Sequence, residues 1–407
     1  MSWLSPNTIT GDAATGNRLF RREMINGEFW KEIEKGNHIL FVAPRRVGKT
    51  SIMMDLAENC SDQYSCIYQN IEGVRSRNEF YQRLFTLIIQ CLGKSRAQSV
   101  KSFVQTCLKR YAIEEITASG LKFKTKELDY EQELRNLILS LEATKVHTII
   151  FLDEFSEVIS KMSRSGQKED AIAILHTLRE IRSYKEFKNF SIVYAGSVGL
   201  EFVIRNIARP KLINDLHPIQ TGALTIEEAQ QFIHQLTKGA TIKLSRQCVQ
   251  HLINVIEHTL PYYIQLMLEE IDHIAKLRNK PEISETDIDN AFESVLKKNK
   301  NFEDWHDRLK DYQSTHFGFI NEILKHAAHK EQITIQEIYN IACHETYKKQ
   351  DDYMDFIDQL TNDGYLIESP KHIYKFISPF LKRFWLGKYP VYYEQFNLST
   401  PSILSIR

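Results

Sequence analysis

The chain carries no excess of either charge: lysine plus arginine and aspartate plus glutamate both number 52 in 407 residues. Proteins that hold nucleic acid without regard to sequence are usually basic, because they must neutralise phosphates, so this balance gives no such expectation. Long apolar runs are missing too, and the first residues, MSWLSPNTITGDAATG, lack the basic and apolar regions of a secretory signal. No membrane partner is expected, and the expected location is cytoplasmic. The six cysteines, Cys60, Cys66, Cys91, Cys107, Cys248 and Cys343, show no C-x-x-C or paired spacing, which points to reduced, mostly buried thiols. Fourteen histidines make no ligand pattern with one another or with cysteine, so no structural zinc is expected.

What is present is a soluble, globular composition, 43% apolar and 26% charged, in a chain long enough for two or three domains. The informative stretch is HILFVAPRRVGKTSIMM, residues 38–54, where an apolar run stops at a turn and a helix-compatible run follows. Against the phosphate-loop pattern G-x-x-x-x-G-K-[ST], Ala43 takes the first position and Gly48, Lys49 and Thr50 match in register. Such a loop aims backbone N–H groups at a polyphosphate, so a small residue belongs where the backbone comes closest, and the following helix points its positive end at the charge. Lys49 would reach the β- and γ-phosphates of ATP, and the Thr50 hydroxyl would ligate Mg²⁺. Ala43, Pro44, Arg45, Arg46, Val47, Gly48, Lys49, Thr50 and Ser51 are therefore the candidate cofactor-binding set.

Two later apolar runs, residues 64–71 and 146–152, read as further strands separated by helical patterns, the signature of a parallel sheet covered on both faces. The second runs into FLDEFSEV, which puts Asp153 and Glu154 at a strand's C-terminal end. Beside a phosphate loop, the first carboxylate would hold Mg²⁺ with Thr50 and the second would polarise the attacking water; the plain alternative is a solvated strand exit. A fourth strand, FSIVYAGS at 190–197, ends at Ser197, either a turn residue or a group facing the γ-phosphate or the attacking water. The helix before it carries Arg179 and Arg182, which either complement its dipole or serve as an arginine finger in a neighbouring subunit.

The expected layout is a loose tail over 1–16, an ATPase domain over 17–222, a helical lid over 223–300, a linker over 301–312, a winged helix-turn-helix over 313–392 and a tail over 393–407. Four lid helices follow from period and caps, with capping boxes at Thr225/Glu228 and Ser284/Asp287. The winged reading rests on three helices followed by LTNDGYL and an extended segment. Its third helix carries Asp351, Asp352, Asp355, Asp358 and Asp363 against Lys348 and Lys349. That charge opposes DNA backbone contact and favours a protein partner or self-association, with Lys371, Lys375, Lys382 and Arg383 leaving DNA open through the wing.

Together FRRE at 20–23, APRRVGKTS at 43–51, IIFLDEF at 149–155, AGSVG at 195–199, LTIEEA at 224–229 and LPYYIQLM at 260–267 resemble the archaeal and bacterial P-loop ATPases of the AAA+/STAND branch, relatives of the origin-recognition ATPases. The resemblance implies an α/β fold: a parallel P-loop sheet of the ASCE/AAA+ kind, its phosphate-loop strand central and helices on both faces, followed by a helical lid and a winged helix. It also implies a Mg²⁺-dependent ATPase switching between ATP and ADP states. Lys49 and Thr50 then match the Walker A pair, Asp153 and Glu154 the Walker B pair, and Ser197 the sensor 1 position. Arg22 falls at the arginine of the family's leading V-G-R-E motif, with Arg21 where its glycine would stand, and Pro261 matches the lid proline, preceded by Thr259 and Leu260 instead of glycine. Asn70 is a candidate for the polar residue that restrains the glutamate. The implied alternatives are an ATP-gated DNA-binding regulator or loader and a slow STAND-type signalling or defence scaffold.

Overall fold

Apolar runs rich in isoleucine, valine and phenylalanine become the strands of one parallel sheet. In the computed structural model these are β1 (Ile39–Val42), β2 (Tyr64–Asn70), β5 (His147–Asp153), β6 (Phe190–Ala195) and β7 (His217–Gln220), with a separate antiparallel hairpin of β3 (Ile113–Thr117) and β4 (Gly120–Phe123). The structure describes the chain apart from residues 1–2, 94–97, 112, 118–119, 124–127, 184–188, 197–198, 208–209, 299, 313–314, 346, 348–350 and 393–407. The described residues form two compact units, Ala13–Thr221, and Met1–Asp12 together with Gly222–Arg407.

In the first of these the sheet order is β2-β5-β6-β1-β7, every neighbouring pair parallel. All of β6 and nearly all of β5 is buried, as expected of strands covered on both faces. One face packs Ile39, Phe41, Ile149, Phe151 and Val193 against Phe29 and Ile33 of the helix Glu23–Glu34 and Ile52, Met53 and Leu56 of the helix Lys49–Glu58. Each such side chain contributes about 1.5–3 kcal/mol on burial. On the other face Phe155 meets Tyr194, ring centroids 4.9 Å apart. Helices Arg77–Gly93, Gln98–Arg110 and Tyr130–Ser140, with the β3–β4 hairpin, fill the long connection from β2 to β5.

Two details differ from expectation. The phosphate-loop strand β1 is interior but not central, because β6 takes the middle place. The short β7 pairs only with β1, and its Pro218 is tolerated there because an edge strand has one side that needs no ladder donor.

His38, just before β1, accepts a hydrogen bond from the Ile192 N–H at Nδ1, 3.0 Å, and burial pushes its pKa down to about 3. A histidine that folds neutral and unfolds with an ordinary pKa contributes stability that is complete above about pH 6.5 and lost as pH falls toward 3. The slope is up to about 1.4 kcal/mol per pH unit for each such group. His147 and His258, both pushed down to about 4 by burial, act in the same sense. Thermal midpoints should therefore drop between pH 7 and pH 5. His38→Asn, whose amide oxygen can accept the same N–H, should flatten that dependence; an unchanged slope would reject the assignment.

The other unit begins with the four helices Ile226–Thr237, Arg246–Ile256, Pro261–Leu277 and Glu285–Lys297, with full capping boxes at Thr225/Glu228 and Ser284/Asp287. The 301–312 stretch expected to be a linker lies within the helix Lys300–Tyr312. Its many charges hide an apolar stripe, Phe302, Trp305 and Leu309, spaced three and four apart and buried. Then come the helix Phe317–His329, β8 (Ile333–Thr334), the helices Ile335–His344 and Asp351–Asn362, β9 (Leu366–Ser369), β10 (Ile373–Phe376) and the helix Pro379–Lys388. The three strands form an antiparallel sheet in the order β8-β10-β9. Lys382 and Arg383 thus lie on a helix following the hairpin, not on it, where Lys382 meets Glu331 and Arg383 meets Glu293.

Residues 3–12 are not the loose tail expected. Leu4 O accepts from Thr241 N, 2.7 Å, Asn7 N donates to Leu236 O, 2.8 Å, and Ile9 N donates to Gln265 Oε1, 2.8 Å. Trp3 Nε1 adds a bond to Asp272 Oδ1, 2.9 Å. A polar segment is ordered wherever its main-chain groups find partners, and composition alone does not reveal those partners.

Candidate functional site

The site is built where β1 and β5 end. β1 gives way at Val42 to a loop that turns through two left-handed residues, Arg46 at φ 66° and Gly48 at φ 92°, before the helix Lys49–Glu58. Gly48 sits at the N-cap, where a side chain would be strained. Lys49 is buried to 9% exposure and folds its ammonium over the loop, donating to Ala43 O at 2.8 Å. Ser51 Oγ accepts from Ala14 N–H, 2.8 Å, which ties the leading segment to the same helix.

Opposite the loop helix stands Asp153, the last residue of β5 and 1% exposed. Thr50 Oγ1 donates to its Oδ2 at 2.6 Å, joining residues 103 apart in sequence whose strands are separated by β6. Tyr68, on β2, also donates to Oδ2, 3.0 Å, and the Glu154 N–H donates to Oδ1, 3.0 Å. Glu154 opens the helix Phe155–Arg164 with φ 60°, left-handed for a residue with a Cβ. Such a conformation costs about 1–3 kcal/mol, and it turns the chain sharply off the strand.

Among the described residues no lysine, arginine or histidine pairs with Asp153; its partners are two hydroxyls and one amide. A buried carboxylate beside a hydroxyl oxygen is a hard-oxygen donor set suited to a divalent cation such as Mg²⁺. These residues fit the metal that the sequence pattern implies. Burial and the negative charge of Asp153 push the Tyr68 phenol well above its ordinary pKa, so it stays protonated and donates.

The other candidates divide. Arg22 lies in the same unit, its Nη1 donating to Thr221 Oγ1 at 2.6 Å. Asp55 holds the neighbouring Arg21 by an ion pair of 3.1 Å and also accepts from Asn26 and Asn59, so it clamps the leading segment to the loop helix. Ser197 lies outside the described residues. Its neighbour Gly196 has no room for a side chain, since a Cβ there would stand 1.9 Å from Ser156 Oγ. The end of β6 therefore touches the helix that Glu154 begins. Asn70 pairs in register with Asp153, but its Oδ1 accepts from the Glu72 N–H, 2.9 Å, and serves the local turn. Pro261, at the first turn of Pro261–Leu277, belongs to the other unit.

The arginine-finger reading does not hold for Arg182. Its side chain is 2% exposed, and its guanidinium binds Asp215 at 2.6 Å, Tyr194 OH at 3.0 Å and Leu212 O at 2.7 Å. Arg179 donates to Asn214 Oδ1 at 2.8 Å, on the same segment. Both pin the helix Lys168–Ser183 to the chain that leads into β7, a structural use that leaves Arg182 nothing to extend outward.

Tyr68 and Asp55 are the residues that sequence reasoning missed. The period of two in YSCIYQN puts Tyr64, Cys66, Tyr68 and Asn70 on one side of β2, but only the pairing of β2 with β5 shows which of them meets Asp153.

No protein-family model matches the chain, and no curated protein matches it by sequence. In structure it is similar to a Walker-type ATPase of Pyrococcus abyssi, with a TM-score of 0.62 and 15% identity over 93% of this chain and 99% of that one. It is also similar to the ORC2 protein of Aeropyrum pernix in ADPNP–ADP complexes, with a TM-score of 0.52 and 15% identity over 91% and 94% of the two chains. At such identities the likeness speaks for the fold. The chain shares the α/β fold of these two proteins. No helix among the described residues is long and apolar enough to cross a membrane.

Proposed function

We propose that the chain binds ATP with Mg²⁺ and hydrolyses it, and that the nucleotide state acts as a conformational switch. The observation that carries this reading is the 2.6 Å bond between Thr50 and the buried Asp153, beside a phosphate loop whose lysine is already folded over it. In this reading the N–H groups of residues 44–50 and the Lys49 ammonium hold the β- and γ-phosphates, while Thr50 and Asp153 hold Mg²⁺. The metal would supply charge neutralisation at the phosphates. Glu154, one residue beyond Asp153, orients and polarises the attacking water, and Arg22 faces the nucleotide from the leading segment. Ser197, two residues beyond β6 in the sequence, would sense the terminal phosphate.

The helices between 226 and 297 would serve as a lid, and the helices and three-stranded sheet from Phe317 to Phe376 read as a winged helix-turn-helix. A protein partner or self-association suits that module better than DNA. Two of its four basic candidates, Lys382 and Arg383, are already matched with Glu331 and Glu293, which leaves Lys371 at the hairpin turn and Lys375 on β10. The deciding experiment is ATP turnover with solution mass, with and without duplex DNA. Mg²⁺-dependent turnover unaffected by DNA supports the proposal. Turnover or binding that DNA changes, with a steep salt dependence, would favour an ATP-gated DNA-binding regulator. Very slow turnover with a nucleotide-dependent change in mass would favour a signalling scaffold, and no nucleotide binding at all would reject every one of these readings.

A further inference from the structure

Asp153 is the least exposed carboxylate of the site, and its orientation is fixed from two sides. Oδ1 is held by the amide that follows it, and Oδ2 is shared by two hydroxyls from different elements: Thr50 on the loop helix at 2.6 Å and Tyr68 on β2 at 3.0 Å. Thr50 belongs to the phosphate-loop pattern and Tyr68 does not, nor does any other motif in the sequence ask for a phenol at that place. Tyr68 lies opposite Phe151, two residues before Asp153 on the adjoining strand, so its long side chain runs along the sheet to the carboxylate. A phenol hydroxyl offers one donor, and a carboxylate oxygen has room for it alongside the Thr50 hydroxyl. With β2 at the edge of the sheet, that bond ties the edge strand to the carboxylate.

We propose that Tyr68 is a positioning residue for the divalent cation: by donating to Asp153 Oδ2 it holds the carboxylate against Thr50, so that the two oxygens are set for Mg²⁺ before it arrives. The inference rests on the reading of Thr50 and Asp153 as the cation-holding pair. Outer donors of this kind typically control metal affinity by 10- to 100-fold, because the ligand otherwise loses its orientation. Tyr68→Phe keeps the ring and removes only the hydroxyl.

The test is binding of a fluorescent ATP analogue to the full chain, first in EDTA and then across a Mg²⁺ titration. In wild-type protein Mg²⁺ should tighten binding. In Tyr68→Phe, binding in EDTA should be unchanged, and the Mg²⁺ concentration at half-effect should rise by about tenfold or more. The unchanged EDTA value also reports that the loop is folded, a result that a merely structural loss would not give. A Mg²⁺ midpoint equal to wild type, or lower, overturns the role of Tyr68 while leaving the cation site standing. If Mg²⁺ leaves wild-type binding unaffected, the Thr50–Asp153 assignment falls and this proposal falls with it.

Discussion

Lys49→Ala should weaken ATP binding by at least about a hundredfold, about 2.7 kcal/mol, with thermal stability nearly unchanged. The side chain is almost fully buried, and its ammonium rests on Ala43 O, the carbonyl that opens the loop. A triphosphate held by backbone amides alone keeps its hydrogen bonds but loses the one mobile unit charge aimed at its outer phosphates. Coulomb attraction at such a largely desolvated position far exceeds that of an exposed pair. Arg45 and Arg46 remain in the loop, but a planar guanidinium does not replace a compact ammonium there. Titration with a fluorescent ATP analogue and a melting curve on the same sample decide the matter. Affinity within threefold of wild type would remove Lys49 from the site.

Glu154→Gln should keep ATP bound and cut turnover by at least about a hundredfold. The substitution preserves size and removes only the negative charge, so the left-handed turn at φ 60° and the helix Phe155–Arg164 are retained. Asp153, which accepts from the Glu154 main-chain N–H, is left undisturbed because that donor is not part of the side chain. What is lost is the charge that, under the proposed function, polarises water. Single-turnover hydrolysis, set beside the binding isotherm, separates the two steps. Normal hydrolysis by this variant would assign the water-activating role to another residue.

Much of this site is legible in the sequence because its signals are local. Val47 to Thr50 spell a loop whose spacing is dictated by the size of a phosphate, and FLDEF spells an apolar strand that ends in two carboxylates. The capping boxes of the helices Ile226–Thr237 and Glu285–Lys297, Thr225 with Glu228 and Ser284 with Asp287, are likewise readable because they close within one helical turn.

What escaped was non-local. Arg182 reads as a basic helix end until Asp215, 33 residues on, is brought beneath it. Tyr68 reads as one aromatic among many until β2 is paired with β5, 85 residues away from its acceptor. The 301–312 stretch failed for another reason: its charges outnumber the three apolar residues that decide its fate. Four-residue β7, with proline inside it, has too little pattern to announce itself.

The stitching of residues 3–12 onto the stretch between residues 236 and 272 also bears on synthesis. Trp3, Leu4 and Ile9 meet partners 237 to 269 residues downstream. At a ribosomal pace of about 5–20 residues per second, those partners emerge roughly ten to fifty seconds later. The whole sheet from Ala13 to Thr221 has left the tunnel in the meantime and is able to close around its own core. Residues 3–12 are therefore made well before the groups they bond, and they can dock only once the chain between residues 236 and 272 has followed.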